Sequence, residues 1–167
     1  TRILKKKEGF APFNHGNPDL ARPWALPGTP GMEHRIGGLE KWEETGHVSY
    51  DPENHQKMVE LRQEKVDIIA RDLPLAKPFG KEGGDLLVIG WGGTHGALRS
   101  AVETAQSEGM SVSHLHLRHL NPLPKNLGEI LVKFQKVMIA ELNLGQLSNI
   151  IRAKFLVDAV GLNKVQG

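Results

Sequence analysis

The sequence predicts an α/β fold built on a parallel sheet. Two short apolar runs, Leu86 to Ile89 and Val137 to Leu142, are typical of strands that are buried on both faces. A glycine-rich turn, Gly90 to Gly96, follows the first run and opens a helical pattern. Strands and helices then alternate three times, which is the order expected of a sheet with right-handed crossovers.

The first third of the chain is predicted to be an extended arm. Residues 1–52 are rich in proline and glycine and show neither helical nor strand periodicity. Large apolar residues recur in this arm, so we expect it to pack on its own domain or on a partner instead of acting as a flexible linker. These residues are Trp24, Leu26, Met32, Ile36, Leu39 and Trp42.

One long helix is predicted between the arm and the domain. Asp51-Pro52-Glu53 combines an N-cap carboxylate, a proline at the first helical position and an acid in the first turn. We expect the helix to run to about Asp72, within a connecting segment of residues 53–84. Its predicted apolar stripe consists of Val59, Val66, Ile69, Ala70 and Leu73.

The domain proper is predicted at residues 85–167. The helix that follows the glycine turn ends at Gly109, and Ser111 to Leu117 alternates as a strand with His114 and His116 on one face. The tail, residues 155–167, is expected to add one short edge strand. The next helix is predicted to bury Leu127, Ile130, Leu131 and Phe134, and the last helix to bury Leu147, Ile150, Ile151 and Phe155.

Composition narrows the functional classes. The net charge of +2 is too small to indicate nucleic-acid binding, and the basic runs lack interleaved aromatic residues. The absence of cysteine leaves no thiolate for zinc or for an iron–sulfur cluster. No apolar stretch approaches the roughly 18 residues of a membrane span, and the start lacks the apolar region of a signal peptide. We therefore expect a chain that binds neither nucleic acid nor a membrane.

The glycine turn is one candidate binding site. Backbone N–H groups at a helix N-terminus bind phosphate, but the spacing here is GxGxxxG and not GxGxxG. No acidic residue ends the second strand to bind a ribose, because His116, Arg118 and His119 stand there instead. A regulatory module that binds phosphate or a nucleotide at Gly90 to Gly96 is the alternative interpretation of the chain.

Three histidines, His114, His116 and His119, are candidate metal ligands. Alternate positions on a strand put two imidazoles on one face, which is acceptable geometry for zinc. The segment supplies no carboxylate or thiolate beside them, so a polar rim at the end of the sheet is favoured over a zinc hydrolase. No GxSxG or SxxK motif indicates a serine nucleophile. We predict no catalytic residue and no metal site in this chain.

The loops at the carboxyl ends of the strands are the predicted functional surface, because an open α/β sheet presents its contacts there. Polar residues and glycines mark all three of these loops. The residues selected for the surface are Gly90, Gly92, Gly93, His95, His119, Asn121, Glu141, Asn143 and Gln146, together with Arg35 and Glu40 from the arm.

Four phrases of the sequence resemble a known family. They are RPWALPGTPGMEHRIGGLEK (Arg22 to Lys41), GHVSYDPENHQKMVELRQEKV (Gly46 to Val66), HLRHLNPLP (His116 to Pro124) and ELNLGQL (Glu141 to Leu147). They look like the C-terminal part of the alpha subunit of 2-oxoacid:ferredoxin oxidoreductases, and the form they most resemble is the 2-oxoglutarate enzyme. The resemblance covers nearly the whole chain, in order and with the expected spacing.

The resemblance implies a Rossmann-like, mainly parallel sheet with helices on both faces, similar to the C-terminal domain of transketolases and including one antiparallel edge strand. It also implies a heteromeric enzyme that oxidatively decarboxylates 2-oxoglutarate on thiamine diphosphate and magnesium. Electrons would pass through an iron–sulfur cluster to ferredoxin, and coenzyme A (CoA) would leave as succinyl-CoA. The implied partners are the beta subunit, the remaining alpha domains and ferredoxin.

The chain departs from the cofactor motifs of that family. The nearest phrase to a GDG…N magnesium motif is Gly83-Gly84-Asp85, which lacks the partner asparagine, and a cluster needs thiolates that are absent here. No segment resembles the YPITPSS phrase of the family's pyrimidine-side domain. The resemblance therefore implies that the cofactors bind elsewhere, that this chain alone is inactive, and that its role is to support assembly and the active-site surround.

Overall fold

The computed structural model describes residues 3–5, 7 and 9–166 and divides the chain into two compact units. The first unit extends to Asp72 and the second begins at Leu73. The boundary between these units falls within the connecting segment drawn from the sequence. The arm and the long helix fold together, because side chains of the helix bond to the arm, while residues 73–84 fold with the sheet.

The first unit contains a short two-stranded sheet and the long helix. Strands β1 (Ile3–Leu4) and β2 (Trp24–Ala25) pair in parallel, and helix α1 spans Pro52–Ile68 before a single 3₁₀ turn, Ile69–Arg71. The predicted helix start is confirmed, since the Asp51 carboxylate accepts the backbone N–H of Asn54 at 2.7 Å. No helix among the described residues is both long and apolar enough to cross a membrane.

Polar contacts decide which side of α1 faces the arm. Asn54 and Met58 are the buried residues of α1, and the Asn54 side chain donates to the carbonyl of Lys41 at 3.1 Å. The predicted stripe was wrong at Val59 and Ile69, whose side chains are 45% and 47% exposed. The periodicity of apolar residues failed here because the helix is held by an amide and by ion pairs.

The second unit is a four-stranded sheet with three helices. Its strand order is β4-β3-β5-β6, and all three pairings are parallel. The predicted fold class is confirmed, including the short edge strand in the tail. The elements are β3 (Gly84–Trp91), a 3₁₀ turn (Gly92–Thr94), α2 (His95–Ser107), β4 (Val112–Leu117), α3 (Leu127–Leu131), β5 (Phe134–Glu141), α4 (Gln146–Phe155) and β6 (Ala159–Asn163).

Helices cover both faces of this sheet. Leu87 and Ile89 of β3 pack in a large core with residues of α3 and α4. The intervening Val88 points to the other face, where it packs with Val102 of α2. Successive residues of β3 therefore pack against helices on opposite faces of the sheet. Because both faces are covered, the strand has the unbroken apolar run by which it was predicted.

Three details of the second unit differ from the sequence expectations. Helix α3 ends at Leu131, and Phe134 is the first residue of β5. Ile150 of α4 is 50% exposed. The next residue, Ile151, occupies the buried side of the helix instead. The implied antiparallel edge strand is reduced, in the described residues, to a single antiparallel bridge between Phe79 and His114 beside β4.

Gly90 allows α2 to approach the sheet closely, and its replacement by alanine should destabilise the second unit. The added Cβ would lie 2.3 Å from Leu98 Cδ1 and 2.5 Å from Thr94 Oγ1. Overpacking of this kind costs about 1–3 kcal/mol, which chemical denaturation would measure. Gly93→Ala is the matched control, since its Cβ meets no atom within 4 Å and the expected change stays within about 0.5 kcal/mol. Equal unfolding free energies for the two variants would contradict this packing role.

Candidate functional site

The carboxyl ends of the four parallel strands lie along one edge of the sheet. Trp91, Leu117, Glu141 and Asn163 are the last residues of β3, β4, β5 and β6. The loops that follow β3, β4 and β5 therefore meet at this edge, which we call the carboxyl edge. It is the position at which open α/β sheets bind their ligands and partners.

Glu141 is a buried carboxylate at the centre of the carboxyl edge. Its side chain is 2% exposed and accepts hydrogen bonds from the backbone N–H groups of Leu147 and Ser148, both at 2.9 Å. Trp91 Nε1 and Asn143 Nδ2 also donate to it, at 3.3 and 2.9 Å. The structure thus places Glu141 inside the fold and not on the surface expected for it.

The hydrogen bonds keep Glu141 ionised. Burial by itself raises the pKa of this carboxyl, but the N–H groups of Ser148 and Leu147, with Asn143 and Trp91, lower it further than burial raises it. The two backbone donors belong to the first turn of α4, where an anion also interacts favourably with the helix dipole. Glu141 therefore acts as the cap of α4 from the end of a neighbouring strand.

Asn143 fixes the loop between β5 and α4. Its amide donates to Glu141, while its Oδ1 accepts the N–H groups of Gly145 at 2.7 Å and Gln146 at 2.9 Å. Gly145 has a φ of +93°, a conformation that favours glycine, and the Asn163 side chain lies 2.9 Å from where its Cβ would be. The phrase ELNLGQL is thus a rigid strand-to-helix turn.

This rigid turn exposes two leucines that sequence analysis did not select. Leu142 is 58% exposed and Leu144 is 83% exposed, although both flank the bonded Asn143. Of the selected surface residues, Gln146 and Asn121 are exposed and His119 is half-buried. The sequence feature that could have identified these exposed leucines is their alternation with the polar residues of the turn.

The glycine turn serves the packing of α2 in this structure. Thr94 Oγ1 donates to the Trp91 carbonyl at 2.9 Å, and no side chain caps the first turn of α2. Gly92 has a φ of +57°, and a Cβ at Gly92 or Gly93 would meet no atom within 4 Å. The exposed turn therefore contributes backbone to the carboxyl edge.

Three imidazoles cluster under the start of α2. The ring of His95 lies 5.7 Å from that of His114 and 4.8 Å from that of His116, so the third ring is His95 and not the predicted His119. His114 Nε2 and His116 Nδ1 are buried without a hydrogen-bond partner. Within residues 3–5, 7 and 9–166, no group of three or more His, Cys, Asp or Glu side chains is arranged to bind a metal ion.

Burial keeps His114 and His116 neutral. Desolvation, the two neighbouring imidazoles and Arg99 together lower the pKa of His114 from 6.5 to about 4. Burial and His95 also lower the pKa of His116. Neutral rings at this depth are part of the packing between β4 and α2.

The two residues selected from the arm have different environments within the first unit. Glu40 accepts from Arg62 at 3.1 Å and lies 3.0 Å from His55 Nδ1, and these contacts, with Arg62 first, lower the pKa of Glu40 to about 2. It therefore ties the arm to α1. Arg35 is exposed, so of the two it is the one free to meet a partner.

The implied cofactors do not fit the residues of this chain. An iron–sulfur cluster needs thiolates, and the chain has no cysteine. The only approach to a thiamine diphosphate magnesium motif is Gly83-Gly84-Asp85, at the amino end of β3, where Asp85 accepts from Gln135 at 3.1 Å. That position is the sheet edge opposite the candidate surface.

Comparisons with known proteins identify the family. Residues 84–165 match the family model for the pyruvate:ferredoxin oxidoreductase core domain II. Over 166 residues the chain is 49% identical to the 2-oxoglutarate oxidoreductase subunit KorA of Mycobacterium tuberculosis, covering 99% of this chain and 25% of that protein. It is 37% identical over 116 residues to a 2-oxoacid:ferredoxin oxidoreductase alpha subunit of Aeropyrum pernix, covering 65% of this chain and 18% of that one.

The chain belongs to the alpha-subunit family of the 2-oxoacid:ferredoxin oxidoreductases. A solved structure agrees, the 2-oxoglutarate:ferredoxin oxidoreductase of Magnetococcus marinus with 2-oxoglutarate, coenzyme A and succinyl-CoA bound. It is 31% identical, superposes with a TM-score of 0.81, and is matched over 91% of this chain and 27% of its own. The chain spans about a quarter of the length of the Mycobacterium tuberculosis and Magnetococcus marinus relatives.

Replacing Glu141 by glutamine should test its role as the cap of α4. The amide cannot accept on both atoms, so at least one buried donor loses its partner, at a cost of about 2 kcal/mol in unfolding free energy at neutral pH. A carboxyl with a lowered pKa stabilises the fold above its unfolded value of 4.5, and this contribution is lost as the pH falls through the folded value. The difference between variant and wild type should therefore shrink in urea titrations at acid pH. Glu82→Gln, at an exposed acid, should show no such convergence.

As the pH falls, the contribution of His114 to folding stability should be lost at a higher pH than that of Glu141. The native ring is neutral, whereas the unfolded chain takes up a proton below about pH 6.5, so stability is lost as the pH falls from there toward about 4. The loss amounts to up to roughly 3 kcal/mol. His114→Leu should flatten this part of the pH profile, while His47→Leu, at an exposed ring, should leave it unchanged. Identical profiles for the His114 variant and the wild type would contradict the assignment.

Proposed function

We propose that this chain is a non-catalytic region of the alpha subunit of a thiamine-diphosphate-dependent 2-oxoglutarate:ferredoxin oxidoreductase. The whole enzyme would convert 2-oxoglutarate, CoA and oxidised ferredoxin to succinyl-CoA, carbon dioxide and reduced ferredoxin. The chain would support subunit assembly and help to shape the surround of the active site. The 2-oxoglutarate specificity is supported by the names of two relatives, one of them 49% identical.

One observation supports the assembly role above the others: a rigid edge carries exposed apolar side chains. Leu142 and Leu144 are exposed although Asn143 and Glu141 hold their loop in place. Full burial of such a side chain contributes about 1.5–3 kcal/mol, and a preorganised loop loses little entropy on binding. Large exposed apolar residues also occur in the first unit, where Trp24 is 63% and Tyr50 is 88% exposed. Surfaces of this kind mark contacts with other proteins or domains.

The partners in this proposal are the beta subunit and the remaining alpha domains, with ferredoxin as the electron acceptor of the whole enzyme. Gln146, Asn121 and His119 lie in the loops of the same carboxyl edge and would add polar contacts to the interface, as rim residues do. Thiamine diphosphate, magnesium and the iron–sulfur cluster would bind to those partners, because the residues of this chain do not fit them. A cytoplasmic location is part of the same proposal and rests on the family resemblance.

The test is to co-express the full-length alpha subunit with its beta subunit and to measure acceptor reduction that depends on both 2-oxoglutarate and CoA. Activity with this pair of substrates supports the proposal. An assembled protein that reduces the acceptor with another 2-oxoacid and not with 2-oxoglutarate would overturn the substrate assignment. A full-length protein that never associates with a beta subunit would overturn the assembly role.

Leu144→Asp should weaken assembly without unfolding the domain. The side chain is 83% exposed, so the unfolding free energy should change by no more than about 0.5 kcal/mol. Loss of a buried leucine contact of about 1.5–3 kcal/mol would weaken association about 10- to 150-fold, measurable as co-purification against concentration. Val132→Asp is the matched control, since Val132 is 77% exposed but lies just before β5, at the amino end of the sheet. Equal assembly of both variants would contradict a role for the carboxyl edge.

A further inference from the structure

One face of the sheet is only half covered by the helices of this unit. On the face that carries α2, Val88 of β3 and Val112 of β4 pack with Val102 of α2. The pairing register places Met138 of β5 beside Val88. Paired residues of neighbouring strands project from the same face, so Met138 lies on the α2 face too.

The uncovered half belongs to β5 and β6. Val160 pairs with Met138, and Leu162 pairs with Ala140, so these four side chains project from the same face of the sheet. Ala140 is buried and Met138 is half-buried, so the exposed surface consists of Val160 and Leu162 together with Met138, and we call it the open face. Met138, Val160 and Leu162 belong to neither hydrophobic core cluster of the described residues. Val160 is 56% exposed and Leu162 is 45% exposed.

The sequence of β6 places apolar residues on the face of the strand that points away from the core. Its small residues, Ala159 and Gly161, alternate with the larger Val160 and Leu162. Ala159 is 1% exposed and packs in the core with α3 and α4, so the larger residues point away from that core. A strand whose second face remains in water normally carries polar residues there. The pattern of β6 is instead that of a strand covered on both faces.

The dimensions of the open face suit a single helix. Two neighbouring strands span about 10 Å, which is also the diameter of an α-helix with its side chains. Lys136, two residues before Met138 on β5, is exposed and pairs with Leu86, so it stands on the same face and adds a positive charge at the rim. An amphipathic helix with an acidic side chain at that end would complement the face in shape and charge.

The small size of the open face indicates an occupant from the same polypeptide. Three side chains offer far less than the roughly 800 Å² per partner that a stable interface between separate proteins buries. A segment of the same subunit is already tethered, so a small apolar contact is sufficient to hold it. Such segments exist in the relatives, because 75% of the Mycobacterium tuberculosis protein lies outside its match to this chain.

We propose that the open face is covered, in the complete alpha subunit, by one amphipathic helix from outside these 167 residues, with its apolar side on Val160 and Leu162 and an acidic residue near Lys136. This inference rests on the proposed function, since it assumes the full-length alpha subunit. It assigns an intramolecular role to β6, whereas the carboxyl edge is assigned to partners.

A photo-reactive benzoylphenylalanine in place of Val160 would test the proposal in the full-length alpha subunit co-expressed with its beta subunit. Mass spectrometry should locate the cross-link in a predicted helix of the same alpha chain, outside these 167 residues. Two differently tagged alpha subunits would separate contacts within one chain from contacts between copies. The same probe at Asn149, an exposed position on α4 and so on the other side of the sheet, should give a different product. Cross-links from position 160 to the beta subunit, to a second alpha copy or to residues 1–72, or no cross-link in an assembled enzyme, would each overturn the proposal.

A second variant provides a measurement that does not need cross-linking. Leu162→Asp should lower the thermal transition of the full-length alpha subunit by several degrees, because it places a charge in a packed contact. Met110→Asp is the matched control, since Met110 is 57% exposed and lies in the turn between α2 and β4. Equal transitions would overturn the proposal. Activity with 2-oxoglutarate and CoA, measured on the wild-type enzyme, reports separately on the proposed function.

Discussion

The carboxyl edge of this sheet depends on one buried carboxylate. Glu141 receives four hydrogen bonds, and its donors come from β3, from the loop after β5 and from the first turn of α4. A buried anion with fewer donors would carry a large desolvation cost, so the three elements must meet at this point for the fold to be stable. The same requirement fixes the Asn143 turn and the glycine at position 145. The geometry of the edge therefore follows from satisfying a single side chain.

That rigidity accounts for the exposure of apolar side chains around it. A flexible loop could turn its leucines inward, but the bonds of Asn143 to Glu141, Gly145 and Gln146 hold Leu142 and Leu144 outward. The outer residues of β6 are held outward in a similar way by the sheet register. Exposed apolar surfaces of this kind mark contacts with other proteins or domains, and the Mycobacterium tuberculosis relative is about four times as long as this chain.

Several shifted pKa values in this chain belong to groups that have structural roles. Its buried titratable groups have structural partners: Glu141 caps a helix, and Glu40 ties the arm to α1. The imidazoles of His95, His114 and His116 pack against one another, and those of His114 and His116 are kept neutral. A perturbed pKa is therefore a sign of packing here, which illustrates that such shifts alone do not identify an active site.

The sequence by itself determined the features that depend on neighbouring residues. Asp51 caps α1, the apolar runs form β3 and β5, and the tail adds β6, because capping and alternation act over a few positions. The tertiary structure decided which groups meet across long separations. Asn54 turns α1 toward Lys41, 13 residues away, and Trp91 bonds to Glu141 across 50 residues, so neither the buried side of α1 nor the capping role of Glu141 could be inferred locally. Whether a side chain is buried depends on which residues pack against it, and local sequence patterns do not specify those residues.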